Sequence, residues 1–286
     1  MKRINALREI VADYQNLLLD QFGVLHDGTR VYPMVNESLR QLKSLRKKIV
    51  CVSNSGKTSA GNLKRIANIG MNPSIFDLFI SSGQALNLLL INPEKYGYKL
   101  PGKKVLIISR GGDRSFLENV DISVSEKIED ADFIILSGIS DNAAEGILTS
   151  SDFQYALTNN IPVICANPDK LMILEDKVLP GAGYVSMKFE ESGGKVTYIG
   201  KPYQMIYDIV LSEIRNDGKC LAVGDSIEHD IIGGKRIGSD TLFICDGIHA
   251  EETRPLNDGE LQSFIMKLCD ELQCEPPDYY LSKFIY

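Results

Sequence analysis

Short apolar runs alternate with helical patterns from one end of the chain to the other. Leu17–Leu19, Ile49–Val52, Val105–Ile108, Phe133–Leu136, Val163–Cys165, Cys220–Val223 and Thr241–Cys245 each place apolar residues at consecutive positions. That is the pattern of strands buried on both faces. Between them Val35, Leu39, Leu42 and Leu45 recur at helical spacing, as do Leu63, Ile66, Ala67 and Ile69, so both segments read as crossover helices. Strands alternating with helices predict an α/β fold built on a parallel sheet.

Three strand ends carry polar residues. Leu17–Leu19 runs into Asp20, Val50–Val52 into Ser53-Asn54-Ser55, and Leu221–Val223 into Gly224-Asp225-Ser226. Open α/β sheets place their ligands at the carboxyl ends of strands, and parallel strands present those ends on one edge. Residues far apart in sequence could therefore converge there. The long stretch between the second and third of these ends exceeds one crossover and holds its own strand and helix series, from Lys104 to roughly Cys165. An inserted domain is expected at 82–185, bounded by Ser81-Ser82-Gly83 and Pro180-Gly181-Ala182-Gly183, with 1–81 and 186–286 forming the core domain.

Composition narrows the function. The 286 residues are 44% hydrophobic and 24% charged, with 24 Gly and 11 Pro, which excludes collagen-like and disordered classes. The net charge of -7 and the lack of a basic run argue against a nucleic-acid partner. No apolar run approaches the roughly 20 residues that cross a bilayer. The first residues mix Lys2, Arg3, Arg8, Glu9 and Asp13 and so lack the apolar region of a secretion signal, which makes the cytoplasm the expected compartment. Most of the six cysteines sit in apolar runs and read as reduced and buried; Cys269 and Cys274 have no histidine cluster to complete a zinc site. The tail aromatics Tyr279, Tyr280, Phe284 and Tyr286 are expected to pack on the body.

Each polar strand end has a chemical reading and a plainer one. Asp20, followed by Gly23, could hold a metal or attack an electrophile, or simply cap a turn. Asp225 and Asp230 are hard oxygen ligands of the kind that suit Mg²⁺, yet Asp225 or Ser226 could cap the next helix and Asp230 sit in its acidic first turn. Lys201, between Gly200 and Pro202, could neutralise a phosphate or a carboxylate. Ser53 and Asn54 could hold phosphate oxygens. Gly56-Lys57-Thr58 is not a P-loop, because Cys51 stands where the first glycine is required. Gly181-Ala182-Gly183 lacks the third glycine of a dinucleotide fingerprint, and Lys177–Pro180 before it is not expected to be a strand.

Taken in order, Asp20-x-x-Gly23-Val24-Leu25, Ser53-Asn54, Gly200-Lys201-Pro202 and Gly224-Asp225-Ser226 with Asp230 resemble the four motifs of the haloacid dehalogenase superfamily. The insertion between Ser53 and Lys201, with Asn167-Pro168-Asp169, resembles the class IIA cap of the sugar-phosphatase and p-nitrophenyl-phosphatase group. The resemblance implies a Rossmann-like core with an α/β cap and a phosphatase of a small phosphorylated metabolite, a sugar phosphate being one such class. It implies Asp20 as nucleophile through an aspartyl-phosphate, and Mg²⁺ held by Asp20, the Phe22 main-chain carbonyl, Asp225 and Asp230. Ser53 and the Asn54 amide would bind the phosphoryl group, and Lys201 would balance its charge. Asn167, Asp169 and Lys170 would contact the leaving group, and pairing of caps would allow a homodimer.

One position departs from that pattern. Phosphatases of the superfamily usually carry a second Asp two residues after the nucleophile to protonate the leaving alcohol, and here that residue is Phe22. His26, whose ordinary pKa lies near neutrality, and Asp27 are the candidate substitutes. Three readings follow: a Mg²⁺-dependent phosphatase, a phosphometabolite-binding protein with impaired turnover, and a haloacid dehalogenase-type hydrolase, the last disfavoured by the Asp225 and Asp230 pair.

Overall fold

The computed structural model describes residues 1–174, 177–214 and 218–286. In chain order its strands are β1 (Lys2–Arg3), β2 (Asn16–Leu19), β3 (Lys48–Ser53), β4 (Leu78–Ser81), β5 (Lys104–Ile108), β6 (Ser123–Ser125), β7 (Phe133–Leu136), β8 (Val163–Cys165), β9 (Leu171–Leu174), β10 (Lys177–Pro180), β11 (Val196–Tyr198), β12 (Cys220–Gly224), β13 (Asp240–Ile244) and β14 (Tyr279–Leu281). The chain divides into two compact units, one of residues 1–53, 63–79 and 210–286, the other of residues 54–62 and 80–209.

The sheet of the first unit runs β1-β14-β13-β12-β2-β3-β4. β2 lies at its centre, parallel to both neighbours, with Leu18 opposite Ala222 on β12 and Val50 on β3. Leu17 and Leu19 share a core with Leu221, Val223, Ile49 and Cys51, as the continuous apolar runs require. Helix Val35–Ser44 covers that core with Val35, Leu39 and Leu42, one stripe at helical spacing. A second cluster joins Phe243 and Tyr280 to Leu261, Ile265 and Cys269 of helix Asp258–Glu271, which starts at a capping box of Asn257 and Glu260. The aromatic tail does pack on the body: β14 pairs with β13 and β1, and Tyr280 and Phe284 are buried. Because β2, β3 and β12 are adjacent and parallel, Asp20, Ser53 and Asp225 leave the sheet on one edge.

The second unit carries its own parallel sheet, β11-β8-β7-β5-β6, and an antiparallel hairpin of β9 and β10. The hairpin corrects one expectation, since Lys177–Pro180 is a strand whose Leu179 pairs with Met172. The edge of the insertion also differs. Residue 186 falls inside helix Ala182–Glu191, whose Ala182, Val185 and Phe189 pack into the core of the second unit, and β11 beyond it pairs with β8. β5 is less buried than its apolar run suggests: Leu106 and Ile108 are half-buried beside a small apolar cavity also lined by Phe153 and Phe189. All six cysteines are free thiols, five of them buried. Among the described residues no helix is long and apolar enough to cross a membrane.

Candidate active site

The exits of β2 and β12 bring three carboxylates together. One oxygen each from Asp20, Asp225 and Asp230 lies within 4.8 Å of the other two, with Asp225 and Asp230 buried and Asp20 half-buried. Each is placed by main chain. The Asp20 amide donates to the carbonyl of Val223 on β12 (2.9 Å), which ties the two exits to each other. Asp225 Oδ2 accepts from the Ile248 amide (2.7 Å), and Asp230 Oδ2 from the Ser226 amide (3.1 Å). Ser226 Oγ caps the turn after β12 by accepting from the His229 amide, so the capping and ligand readings hold side by side.

Two glycines make the room. Gly23 has φ +81°, a left-handed conformation, and a Cβ there would stand 1.7 Å from Asp225 Oδ2. A Cβ on Gly224 would meet the Asp230 carboxyl carbon at 1.9 Å. Backbone and carboxylate can approach this closely only because both positions lack a side chain. Three buried or half-buried acidic groups at one point repel one another in the low dielectric of a protein interior, and a bound cation relieves that repulsion. An all-oxygen donor set of this kind fits a hard divalent ion such as Mg²⁺.

The turn after Asp20 is organised around Gln21. Its carbonyl accepts from the amides of Leu25 and His26, and the His26 carbonyl accepts from the Gly23 amide. Its buried side chain donates from Nε2 to Ser53 Oγ at the end of β3 (2.6 Å). Oε1 faces Arg65 Nη2 (3.3 Å) and His26 Nε2 (3.3 Å). Phe22 is 38% exposed, its ring edge-on to His26 with centroids 6.0 Å apart.

The two candidate substitutes for an acid at position 22 are engaged elsewhere. His26 is fully buried, and its Nδ1 accepts from the Gly28 amide (2.9 Å). Burial first, and the positive charge of Arg65 second, push its pKa down to about 4. It is a neutral, oriented ring, which does not fit the expected proton shuttle. Asp27 accepts from the Thr29 hydroxyl, from the amides of Thr29 and Arg30, and from Arg30 Nε. The Thr29 hydroxyl, followed by those other donors, holds its carboxyl well below the usual range, so it stays ionised and has no proton to give.

In the second unit Asn54, next in the chain after Ser53, grips the main chain of Lys201. Its Oδ1 accepts from the Lys201 amide (2.6 Å), and its Nδ2 donates to the Lys201 carbonyl (3.0 Å) and to Asp169 Oδ1 (2.8 Å). Lys201 is buried and precedes a cis peptide bond to Pro202. Asn167 Oδ1 accepts from the Asp169 amide (3.3 Å), so Asn167 and Asp169 both serve internal bonds, whereas Lys170 is exposed. The sequence pattern singles out neither Gln21 nor Arg65. A polar residue beside Asp20 at the mouth of an apolar strand was a usable signal for Gln21; Arg65 carried none on an ordinary amphipathic helix.

Two family models match the chain. Residues 17–123 match the haloacid dehalogenase-like hydrolase model, and residues 198–266 match the HAD-hydrolase-like model. A 4-nitrophenylphosphatase of Schizosaccharomyces pombe is 26% identical over 269 residues, covering 86% of this chain and 88% of that protein. A haloacid dehalogenase-like hydrolase from Brucella suis has the same fold, with a TM-score of 0.79 at 21% identity over 99% of this chain and 100% of that one. A glycerol phosphate phosphatase from Mycobacterium tuberculosis, solved in complex with magnesium, has a TM-score of 0.64 at 23% identity over 82% of this chain and 69% of that one. With the motif order and the three converging carboxylates, these matches show that the chain belongs to the haloacid dehalogenase-like hydrolases.

Proposed function

We propose that the protein is a Mg²⁺-dependent phosphatase of a small phosphorylated metabolite, a sugar phosphate being one such class. The observation that carries this reading is the meeting of Asp20, Asp225 and Asp230 at the exits of two adjacent parallel strands. Asp20, the Phe22 main-chain carbonyl, Asp225 and Asp230 would hold the ion. Mg²⁺ bound there supplies positive charge against the phosphoryl oxygens and the attacking carboxylate. The Asp20 carboxylate attacks phosphorus, the bond to the ester oxygen breaks, and water later cleaves the aspartyl-phosphate. Ser53 and the Asn54 amide bind the phosphoryl oxygens, and Lys201 balances their charge. Asn167, Asp169 and Lys170 are proposed to face the leaving group. The magnesium in the glycerol phosphate phosphatase and the phosphatase names of the relatives support the same choice of ion and reaction.

The geometry around Phe22 favours a second reading, a phosphometabolite-binding protein with slow turnover. A phenyl ring donates no proton, His26 is held neutral by burial, and the Asp27 carboxylate is committed to Thr29 and Arg30. A missing general acid costs a rate factor of about 10² to 10⁴. Phosphate release from a panel of small esters, including p-nitrophenyl phosphate, with and without Mg²⁺, separates the two. Metal-dependent release that Asp20→Asn abolishes supports the phosphatase. A folded protein that binds Mg²⁺ and releases no phosphate from any ester overturns it in favour of the binding protein.

A further inference from the structure

Hydrogen bonds in the turn after β2 have a direction as well as a length, and the direction can be traced from atom to atom. The Gly28 amide can only donate, so His26 Nδ1, 2.9 Å away, is the acceptor. A neutral imidazole then carries its single proton on Nε2, the nitrogen that faces Gln21 Oε1. The Arg65 guanidinium, which has no acceptor, reaches the same oxygen from another side. Two independent donors therefore place the oxygen of the Gln21 amide toward His26 and Arg65, and its NH₂ toward Ser53. Gln21 is 3% exposed, so an amide turned the other way would bury two donors against donors. Ser53 Oγ, 2.6 Å from Nε2, is the acceptor of that bond, and the hydroxyl proton of Ser53 is not spent on Gln21.

We propose that Gln21 is a positioning residue that holds Ser53 as a hydrogen-bond donor to the phosphoryl group. The inference rests on the assignment of Ser53 to that group. A hydroxyl rotates to suit its strongest partner, and beside a bare carboxylate or a carbonyl it would turn its proton inward. An amide NH₂ at this position denies it that choice, so the donor is oriented before substrate arrives and needs no reorganisation during reaction. His26 and Arg65 act one step further back, by fixing which end of the amide meets Ser53.

The test is a double-mutant cycle on the full chain with Mg²⁺, read as p-nitrophenyl phosphate turnover and as the affinity for inorganic phosphate. Gln21→Glu has the same shape and keeps the acceptor for Arg65 and His26, but its second oxygen can only accept, which draws the Ser53 proton inward. It is expected to lower kcat/KM about a hundredfold and to weaken inorganic phosphate in step. Gln21→Leu removes the amide donor to Ser53 Oγ and is expected to cost about tenfold. In a Ser53→Ala background each substitution changes both quantities by less than about twofold, because the hydroxyl through which Gln21 acts is gone. Losses of equal size with and without Ser53 overturn the inference, since a charge or packing effect would persist. So does wild-type behaviour of Gln21→Glu. The two assignments can fail separately: Ser53→Ala that leaves turnover and phosphate affinity intact removes Ser53 from the phosphoryl site, and the Gln21 inference with it. If the wild type binds inorganic phosphate without turning over esters, the phosphatase reading fails while the phosphate affinities still decide the role of Gln21.

Discussion

The exits of β12 and β2 lie side by side on one sheet edge and are built on different principles. After β12 both carboxylates are placed by main-chain amides, Asp225 by Ile248 and Asp230 by Ser226, with Gly224 allowing the close approach. After β2 the polar groups are placed mostly by side chains, through the chain of His26, Arg65, Gln21 and Ser53. Main-chain amides hold a fixed polarity whatever the residue. A side-chain network holds it only while every member stays, so it can orient a donor finely but is vulnerable at each link. On the proposed reading the exit of β12 would supply two of the three carboxylates that hold the metal, and the network after β2 would orient the hydroxyl of Ser53.

The largest expected effect comes from breaking the meeting of the two exits. Gly23→Ala places a methyl group 1.7 Å from Asp225 Oδ2 at a left-handed φ, and displacement of that carboxylate by about an ångström should lower Mg²⁺-dependent kcat/KM by about 10² or more. Unchanged turnover with unchanged Mg²⁺ affinity would show that Asp225 is not a ligand. Next is Phe22→Asp, which supplies a proton donor at an exposed position beside the nucleophile. It should raise turnover of alkyl phosphates by about 10² relative to that of p-nitrophenyl phosphate, whose leaving group needs little protonation. An unchanged ratio would mean that the proton reaches the leaving group by another route.

His26 sharpens the comparison through stability. Its folded pKa is lowered from 6.5 to about 4, so the unfolded chain takes up a proton near pH 6.5 that the folded protein refuses. Stability should therefore fall as pH drops from 7 toward 4, by up to about 3 kcal/mol from this group. His26→Gln should flatten that part of the denaturation profile, and a slope left unaltered would contradict the burial assigned to the ring. The smallest effect belongs to Asp27→Ala, which removes bonds to Thr29 and Arg30 on a half-exposed turn and should cost less than about 1 kcal/mol. A thermal melt together with turnover checks this, and a loss of kcat at unchanged stability would return Asp27 to the chemistry.

The same contrast explains what could be read in advance. Parallel strands with polar ends specify where Asp20, Ser53 and Asp225 emerge, because apolar runs mark the strands and the sheet edge follows from their direction. Main-chain placement leaves a trace in sequence too, as the glycines beside Asp20 and Asp225. The edge strands β1, β4, β6 and β11, and β14 between β1 and β13, escape the sequence pattern because each is only two to four residues long. The place of Gln21 beside Asp20 is a signal that it lies at the site, but its role is not legible, since a glutamine becomes an orienting group only when His26, Arg65 and Ser53, up to 44 residues away, fold around it. Nothing local distinguishes Arg65 from its basic neighbour Lys64 on the same helix.

On the proposed reading Asp20 takes the phosphoryl group at a site whose carboxylates hold Mg²⁺. Acid quenching during turnover of p-nitrophenyl phosphate, followed by peptide mass analysis, tests it most directly. One phosphoryl group is expected on the peptide containing Asp20, formed only with Mg²⁺ and absent in Asp20→Asn. Turnover with the label on another residue, or metal-dependent turnover that persists in Asp20→Asn, would contradict it.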